Sequence, residues 1–349
     1  MASIYEVATE AGVSASTVSR TFNTPHLINQ KTKQRVLEVA KRMNYRPPRS
    51  RPAPMSPDGA TDSRTSPVIG FQFFSEWSND TLQGNAFYSH VLAGALAEAS
   101  DLGIRLMLST SQRHDPTAPL PPMVEDDTVA GLLLVGVADK QITDRFTDRV
   151  SNIVFVDHRD PSGRHESVLS DNFGGAQAAT EYLFGLGHRR IAFVTSQDQP
   201  DSFTERLHGY VCAHFAAGIP IDPSLIIAKP FSDEDPTGVV QALLSRPDRP
   251  TAIVGANDDH AFTVMRVAHH LRLSIPGDIS IVGFDDLQFS AKSIPPLTSM
   301  RVQTEVLGRL GVRRLFAKIA DSADPTRANL PSVSLVPVHL IERQSCRKI

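Results

Sequence analysis

The chain of 349 residues is poor in residues that define several protein classes, with two cysteines (Cys212 and Cys346) and one tryptophan (Trp77). The cysteines are far apart and lack metal-site spacing, which favours a reducing compartment. No apolar run approaches the roughly 18–20 residues of a membrane span. The N-terminus also lacks the basic-then-apolar pattern of a signal peptide. These absences predict a cytoplasmic protein without a membrane partner.

The motifs of common α/β enzymes are absent as well. The sequence contains no Gly-x-Ser-x-Gly elbow, no Gly-x-x-x-x-Gly-Lys phosphate loop and no Gly-x-Gly-x-x-Gly turn. The histidines do not have the spacing of metal ligands. His269 and His270 are adjacent and so point to different helix faces, and the other histidines considered are scattered: His158, His188, His208 and His214. We therefore predict no catalytic residue, no metal and no cofactor. A hydrolase or sugar-converting enzyme stays the alternative of a different class.

Residues 1–46 have the pattern of three short helices. Ser3 and Glu6 have capping-box spacing, Gly12 supplies a tight turn, and Ser14 can cap the helix that follows. A third helix begins near Asn29 and ends where two prolines forbid continuation. Its expected buried stripe consists of Val36, Leu37, Val39, Ala40 and Met43. The first two helices and their glycine turn predict a helix-turn-helix that reads the major groove of DNA.

Charge is divided unevenly along the chain. Residues 1–51 contain nine Lys or Arg and three Glu, a net charge of +6, whereas the whole chain is −3 and the remainder therefore −9. A basic head attracts phosphate and an acidic body is repelled by it. Charge alone also fits a solvated helical surface, but together with the helix pattern it favours DNA binding.

A segment with six prolines, residues 47–67, separates this head from an α/β body and predicts an extended linker. Strand and helix patterns then alternate. Expected strands are 68–74, 105–108, 131–136, 153–157, 191–194, 225–227, 252–255 and 279–284. Helices are expected over about 87–102 and 172–186, and a second series of alternating strands and helices begins at Val168. Because about 275 residues exceed one sheet, we expect two doubly wound parallel-sheet lobes and a cleft at the carboxyl ends of strands.

The chain resembles the LacI/GalR family of bacterial transcription regulators over essentially its full length. The head matches at Val7-Ala8, 11–14, 17–20, Asn23 and 45–47, and the body matches at 170–172, Gly175, 186–191, Arg206, Gly209-Tyr210, Asn257-Asp258, 283–286, 295–298 and Gly308. The resemblance implies a dimeric repressor whose body looks like a periplasmic sugar-binding protein. It sets the expected domains as a helix-turn-helix head (1–46), a Pro-rich linker (47–67) and a two-lobed body (68–349). Lobe 1 is expected over about 68–165 and 295–325, and lobe 2 over about 166–294 and 326–345.

The resemblance places a recognition helix at about 15–21. Arg20 can form a bidentate pair with guanine, and Ala15 offers at most a methyl contact to thymine. Capping or phosphate contact is an equal alternative for Ser16 and Thr17, and phosphate contact is the alternative for Arg20. The full set of expected DNA-binding residues is Ser14, Ala15, Ser16, Thr17, Ser19, Arg20, Asn23, Tyr45, Arg46, Arg49 and Arg51.

In the body, the resemblance implies that Arg206, Asn257 and Asp285 hold the effector, with Phe231 packing on one ligand face. Arginine, amide and carboxylate groups suit sugar hydroxyls. An ion pair of Arg206 with Glu205 or Asp201, and a helix cap at Asp285, are the structural alternatives. Weaker candidates are Ser202, expected on the same loop as Arg206, and Asp157, Phe87 and Trp77, the last equally an exposed loop residue near the cleft mouth.

The linker departs from the family. Most members of this family carry a short hinge helix with a leucine wedge after the Tyr-Arg-Pro element, but this chain has no leucine between Leu37 and Leu82. Each interior proline costs on the order of 3 kcal/mol in a helix. A helix over 48–57 is therefore not expected, and Arg49 and Arg51 as a minor-groove arm, with Met55 as wedge, are the alternative.

These observations predict a homodimeric, sequence-specific regulator, acting as a repressor, that binds a pseudo-palindromic operator. A small carbohydrate in the interlobe cleft would control operator affinity, either releasing or promoting DNA binding. Dimer contacts are expected from the helix beginning near Phe87 and from a return helix over 305–316. The alternative is a sugar or nucleoside sensor whose operator binding is weak or lost.

Overall fold

The computed structural model describes residues 4–15, 17–18, 21, 29–43, 45, 66–75, 82, 84–196, 201–229, 237–321 and 330–349. The chain divides into two units, residues 1–60 and residues 61–349. Each unit has its own secondary structure and its own hydrophobic core.

The first unit contains helices α1 (Ile4–Ala11) and α2 (Gln30–Arg42), and residues 15, 17, 18 and 21 are also helical. Its core is formed by small and β-branched side chains together with one tyrosine: Val7, Ala8, Ala11, Val18, Val36, Val39, Ala40 and Tyr45. Leu37, expected in the buried stripe, is 39% exposed. It follows Val36 by about 100° around the helix, and the face through Val36, Val39 and Ala40 takes the core instead.

The second unit contains two sheets. The strands of the first sheet are β1 (Val68–Ser75), β2 (Arg105–Gln112), β3 (Gly131–Val135), β4 (Ile153–Val156), β5 (Glu166–Ser170) and β11 (Val333–Val336). All six are parallel and lie in the order β11-β5-β4-β3-β1-β2. The β3 and β4 strands are buried along their whole length, as expected for parallel strands covered on both faces.

The second sheet also has six strands, namely β6 (Ile191–Ser196), β7 (Ile226–Lys229), β8 (Ala252–Gly255), β9 (Ser280–Asp285), β10 (Thr298–Arg301) and β12 (His339–Ile341). They lie in the order β12-β10-β9-β8-β6-β7. Only β12 runs antiparallel to its neighbour, at the sheet edge. Two doubly wound sheets therefore make up the body, as the sequence predicted.

Helices cover both sheets. They are α3 (Ala86–Asp101), α4 (Pro122–Glu125), α5 (Lys140–Thr147), α6 (Asn172–Gly185), α7 (Asp201–Ala216), α8 (Thr237–Leu244), α9 (Asp258–His270) and α10 (Thr304–Asp321), with a 3-10 turn at Pro223–Leu225. The α3 and α10 helices pack together on the first lobe, and α6 and α7 pack together on the second. A Cβ on Gly308 would lie 1.9 Å from the Val91 carbonyl oxygen, so glycine allows α3 and α10 to touch through their backbones.

The chain passes between the lobes after β5, after β10 and after β11, and all three of these points differ from the expected lobe bounds. Strand β5 pairs with β4 and β11, so residues 166–170 and 333–336 lie in the first sheet rather than in lobe 2. Strand β10 pairs with β9, so residues 298–301 lie in the second sheet rather than in lobe 1. Strand partners decide lobe membership, and an apolar run in the sequence does not identify its partner. The outer bounds of the head, linker and body stay predictions.

Candidate functional site

A cleft of about 600 Å³ lies between the two lobes of the body. Its walls are the carboxyl ends of β1, β4, β6 and β9 and the first turns of α3, α7 and α9. Six residues proposed from the sequence line it: Phe87, Asp157, Ser202, Arg206, Asn257 and Asp285. The two other candidates, Trp77 and Phe231, lie outside the described residues. The topology has thus brought together side chains that are up to 198 positions apart (285 − 87).

Arg206 is the buried cation of this cleft, with 3% of its side chain exposed. Its Nε donates to Asn172 Oδ1 (2.9 Å), its Nη1 donates to the Ala256 carbonyl (2.6 Å), and its Nη2 lies 3.2 Å from Asp285 Oδ1. The guanidinium carbon lies 3.7 Å from the centroid of the Phe284 ring. Of the two structural alternatives, neither ion pair is formed, since Glu205 contacts Arg159 and Arg206 contacts Asp285.

Asp285 ends β9 with φ at 107°, a left-handed conformation that is rare for a residue with a side chain. No helix begins here, so the alternative of a helix cap does not hold. Burial raises the pKa of Asp285 well above its usual value, while the charge of Arg206 opposes that rise. Strained backbone is typical of residues held in place for a functional purpose.

Asp157 follows β4 and also has a positive φ, 60°. Its Oδ2 accepts a hydrogen bond from the Tyr88 hydroxyl at 2.8 Å. Burial raises the pKa of Asp157 to about 6, against the opposing effects of the Tyr88 hydrogen bond and Arg206. This carboxyl therefore changes its protonation state just below neutral pH.

Asn257 caps α9, because its Oδ1 accepts from the backbone N–H of His260 at 2.9 Å and is also contacted by His260 Nδ1. Burial lowers the pKa of His260 to about 3, so the imidazole is neutral at physiological pH. The buried carboxyl of the next residue, Asp258, accepts from Leu287 N (2.7 Å) and Ser299 Oγ (2.6 Å). These hydrogen bonds anchor the loop after β9 to α9, and so help to position Asp285 at the start of that loop.

The cleft differs from the expectation in two respects. Ser202 and Arg206 were expected on one loop, but both lie on α7, four residues apart and so on one helix face. Sequence reasoning also missed several lining residues, including Tyr88, Arg113, Phe203 and His260. Tyr88 and Arg113 had a usable signal, since Tyr88 is in the first turn of a helix and Arg113 follows the end of a parallel strand.

The head has the local geometry of a helix-turn-helix. Gly12 has φ at +62°, and its N–H donates to Thr9 O (3.2 Å) while Val13 N–H donates to Ala8 O (3.0 Å), the bond pair of a Schellman ending. Ser14 Oγ then accepts from Thr17 N–H at 3.1 Å, as expected for an N-cap. Asn29 caps α2 in the same way, accepting from Lys31 N–H at 2.9 Å.

Four of the expected DNA-binding residues are described by the structure. Ser14 is exposed, Ala15 and Thr17 are partly exposed, and Tyr45 is 7% exposed and packs in the head core. Tyr45 is therefore a core residue, and its contact with DNA stays a prediction. The remaining candidates lie outside the described residues: Ser16, Ser19, Arg20, Asn23, Arg46, Arg49 and Arg51. The proposed hinge segment 48–57 lies outside them too.

Neither a metal-ligand cluster nor a membrane-spanning helix occurs in the part of the chain that the structure describes. No group of three or more His, Cys, Asp or Glu side chains in this part of the chain is placed to hold a metal ion. Among the helices that the structure describes, none combines the length and the apolar character needed to cross a membrane.

Comparisons with known proteins give matches over both units. Residues 3–48 match the model of bacterial regulatory proteins of the lacI family, and residues 180–346 match a periplasmic binding protein-like domain. The probable HTH-type transcriptional repressor ExuR of Bacillus subtilis is 29% identical over 326 residues, covering 92% of each chain. This relative is described as a regulator, not as an enzyme.

Two of the matching solved structures each cover 99% of this chain. A complex of the transcriptional regulator CelR with cellobiose has a TM-score of 0.68 and 25% identity, covering 99% of this chain and 100% of the other. The lac repressor dimer bound to operator and the anti-inducer ONPF has a TM-score of 0.66 and 26% identity, covering 99% of each chain. With the head geometry and the two-lobed body, these matches show a DNA-binding domain of the lacI type over residues 3–48 and a periplasmic binding protein-like domain over residues 180–346.

Proposed function

We propose that this protein is a cytoplasmic, sequence-specific transcriptional repressor whose affinity for operator DNA is controlled by a small carbohydrate in the cleft. The arrangement of Arg206, Asp285, Asn257 and Asp157 around one cavity carries the proposal. Carboxylates accept from sugar hydroxyls, guanidinium groups donate to them, and amides do both. Phe87 and Tyr88, with ring centroids 5.0 Å apart, add an aromatic wall against which the apolar face of a sugar can pack.

DNA binding is assigned to the helix-turn-helix. Its positive charge attracts phosphate, while Arg20 and its neighbours read base edges. The operator-bound relative is a dimer, and we extend this to the present chain. Apolar side chains exposed on the first lobe support a homodimer: Leu96 on α3 and Met107 and Leu108 on the edge strand β2 are 40–48% exposed. Two heads then match a pseudo-palindromic operator.

The sugar acts through the lobes. A ligand that bridges residues of both lobes favours one interlobe arrangement, and in a dimer this changes the spacing of the heads. The coupling is reciprocal, so a sugar that weakens DNA binding is itself bound more weakly in the presence of operator. No catalytic step is proposed for the cleft.

The test is fluorescence anisotropy of the full-length protein on labelled DNA from upstream of its own operon, at fixed salt, with a panel of monosaccharides and disaccharides. Sequence-dependent binding that one sugar weakens or strengthens is the expected result. Asp157→Asn protein, which keeps the size of this cleft side chain, should retain DNA binding and need a higher sugar concentration for the response. Binding that no sugar changes would refute sugar control, and a nucleoside panel would then test the other effector class.

The proline-rich linker favours one second candidate, a sugar or nucleoside sensor with weak or lost operator binding. Calorimetry of the same protein distinguishes the two. Sugar binding without sequence-dependent DNA binding would support the sensor and contradict the repressor.

A further inference from the structure

A second cavity, of about 370 Å³, adjoins the cleft where the chain crosses between the lobes. We call it the hinge pocket. Its walls are the first turn of α3, the residues that follow β9, and segment 301–306. Ala86, Phe87, Asp285 and Leu287 line both this pocket and the cleft, so the two cavities share one wall.

The lining of the hinge pocket combines charged and neutral polar groups, and its Asp286 and Arg301 side chains form an ion pair with each other. Gln288, Gln303 and Thr304 contribute amide and hydroxyl groups, which both donate and accept hydrogen bonds. Glu305 and His90 lie at one side, with Glu305 Oε1 3.8 Å from His90 Nδ1. Because the charged groups face partners within the protein, the amide and hydroxyl groups are left to bind a ligand that carries several hydroxyls and no charge.

Hydrogen bonds hold the segment that forms the pocket floor. Arg301 Nε donates to Asp286 Oδ2 at 2.7 Å, and Val302 N–H donates to the Asp285 carbonyl at 3.3 Å. The buried Asp286 carboxylate also contacts Arg343 Nη1, at 2.7 Å. The pocket is therefore connected through the backbone at 285–286 to the carboxylate that faces the cleft.

We infer that the effector is a disaccharide, with one sugar unit in the cleft on Arg206, Asn257 and Asp285 and the second unit in the hinge pocket. The inference rests on the proposed function. Ligand pockets typically have volumes of roughly 300–1,000 Å³, so the hinge pocket is itself large enough for a sugar ring. Phe87 and Asp285, shared by both cavities, lie where the glycosidic bond would pass. The second unit touches residues 301–304, which directly join the lobes.

Isothermal titration calorimetry of the full-length protein tests this with matched probes: cellobiose against glucose, xylobiose against xylose, and lactose against galactose and glucose. We expect at least one disaccharide to bind ten or more times more tightly than each of its own units. The decisive variant is Gln288→Trp, which fills the hinge pocket from an exposed position outside the cleft lining. Gln241→Trp, exposed on α8 and outside both cavities, is the matched control.

Gln288→Trp should reduce disaccharide affinity at least tenfold and change monosaccharide affinity less than threefold, while Gln241→Trp changes neither. Equal binding of disaccharides and their units, or an equal loss of both in Gln288→Trp, would overturn the inference. If a monosaccharide alone binds tightly and alters DNA binding, the proposed function stands and only the disaccharide fails. If no sugar of either size binds, both fail.

Discussion

The guanidinium of Arg206 and the carboxylate of Asp285 contact each other in the wall of the cleft, with Nη2 and Oδ1 3.2 Å apart and both side chains almost completely buried. Arg206 comes from α7, whereas Asp285 ends β9 in a left-handed conformation. Because Asn172, Ala256 and the Phe284 ring also hold the guanidinium, it is oriented before any ligand arrives. Such preorganisation reduces the entropy lost on binding.

Removing Arg206 should strongly destabilise the body. In Arg206→Ala the Asp285 carboxylate stays buried without its cation, and we expect the free energy of unfolding at pH 7.5 to fall by about 3–5 kcal/mol in urea denaturation. The loss should shrink as the pH falls, because burial raises the pKa of Asp285 and a protonated carboxyl carries no charge for Arg206 to compensate. Arg159→Ala is the control, since its ion pair with Glu205 is partly exposed and contributes less than about 1 kcal/mol. Equal losses in the two variants would contradict this account.

Effector affinity should depend on pH through Asp157. Its folded pKa of about 6 lies above the usual aspartate value, so the carboxylate is protonated as pH falls through 6. Protonation removes an acceptor for a sugar hydroxyl, and the dissociation constant should rise by up to about tenfold per pH unit below 6. Calorimetric titrations from pH 8 to pH 5 measure it. In Asp157→Asn protein the inflection near pH 6 should disappear, and its persistence would assign the effect to another group.

Backbone contact between α3 and α10 makes Gly308 intolerant of a side chain. A Cβ there would lie 1.9 Å from Val91 O, so an alanine forces the two helices apart. Gly308→Ala should therefore lower the free energy of unfolding by about 1–3 kcal/mol. Gly185→Ala, at the end of α6 with open space around the added Cβ, should instead stabilise by about 0.4–1 kcal/mol. Thermal unfolding of the two variants side by side checks the opposite signs.

Ser14 allows helix capping to be separated from DNA contact. Ser14→Ala removes the bond to Thr17 N–H and should cost about 0.5–2 kcal/mol, while Ser14→Asp retains a capping oxygen. The aspartate adds negative charge close to phosphate, so it should weaken DNA binding at low salt, with the deficit shrinking as salt rises. Thermal unfolding and anisotropy at two salt concentrations are the measurements. Wild-type DNA affinity for Ser14→Asp at low salt would place this residue away from the phosphates.

Much of the fold could be predicted from local patterns. The expected strand 68–74 is observed as Val68–Ser75 and the helix 172–186 as Asn172–Gly185, because continuous apolar strands and glycine endings are local signals. Other elements had a weaker pattern. Helix α7 packs against α6 and also lines the cleft, so its apolar and polar residues do not separate onto two faces. Its sequence pattern therefore predicts a loop at Ser202 and Arg206, where the structure has a helix.

The amino-acid sequence by itself determined the lacI-type head, its position before the body, and six residues that the structure places around one cleft. These follow from motif spacing and from the rule that parallel strands end at the same edge of a sheet. Tertiary structure alone decided which strands belong to which lobe, since β5, β10 and β11 are assigned by partners distant in the chain. It alone also decided that Arg206 contacts Asp285 rather than Glu205, because burial and a positive φ at Asp285 bring two distant segments into contact.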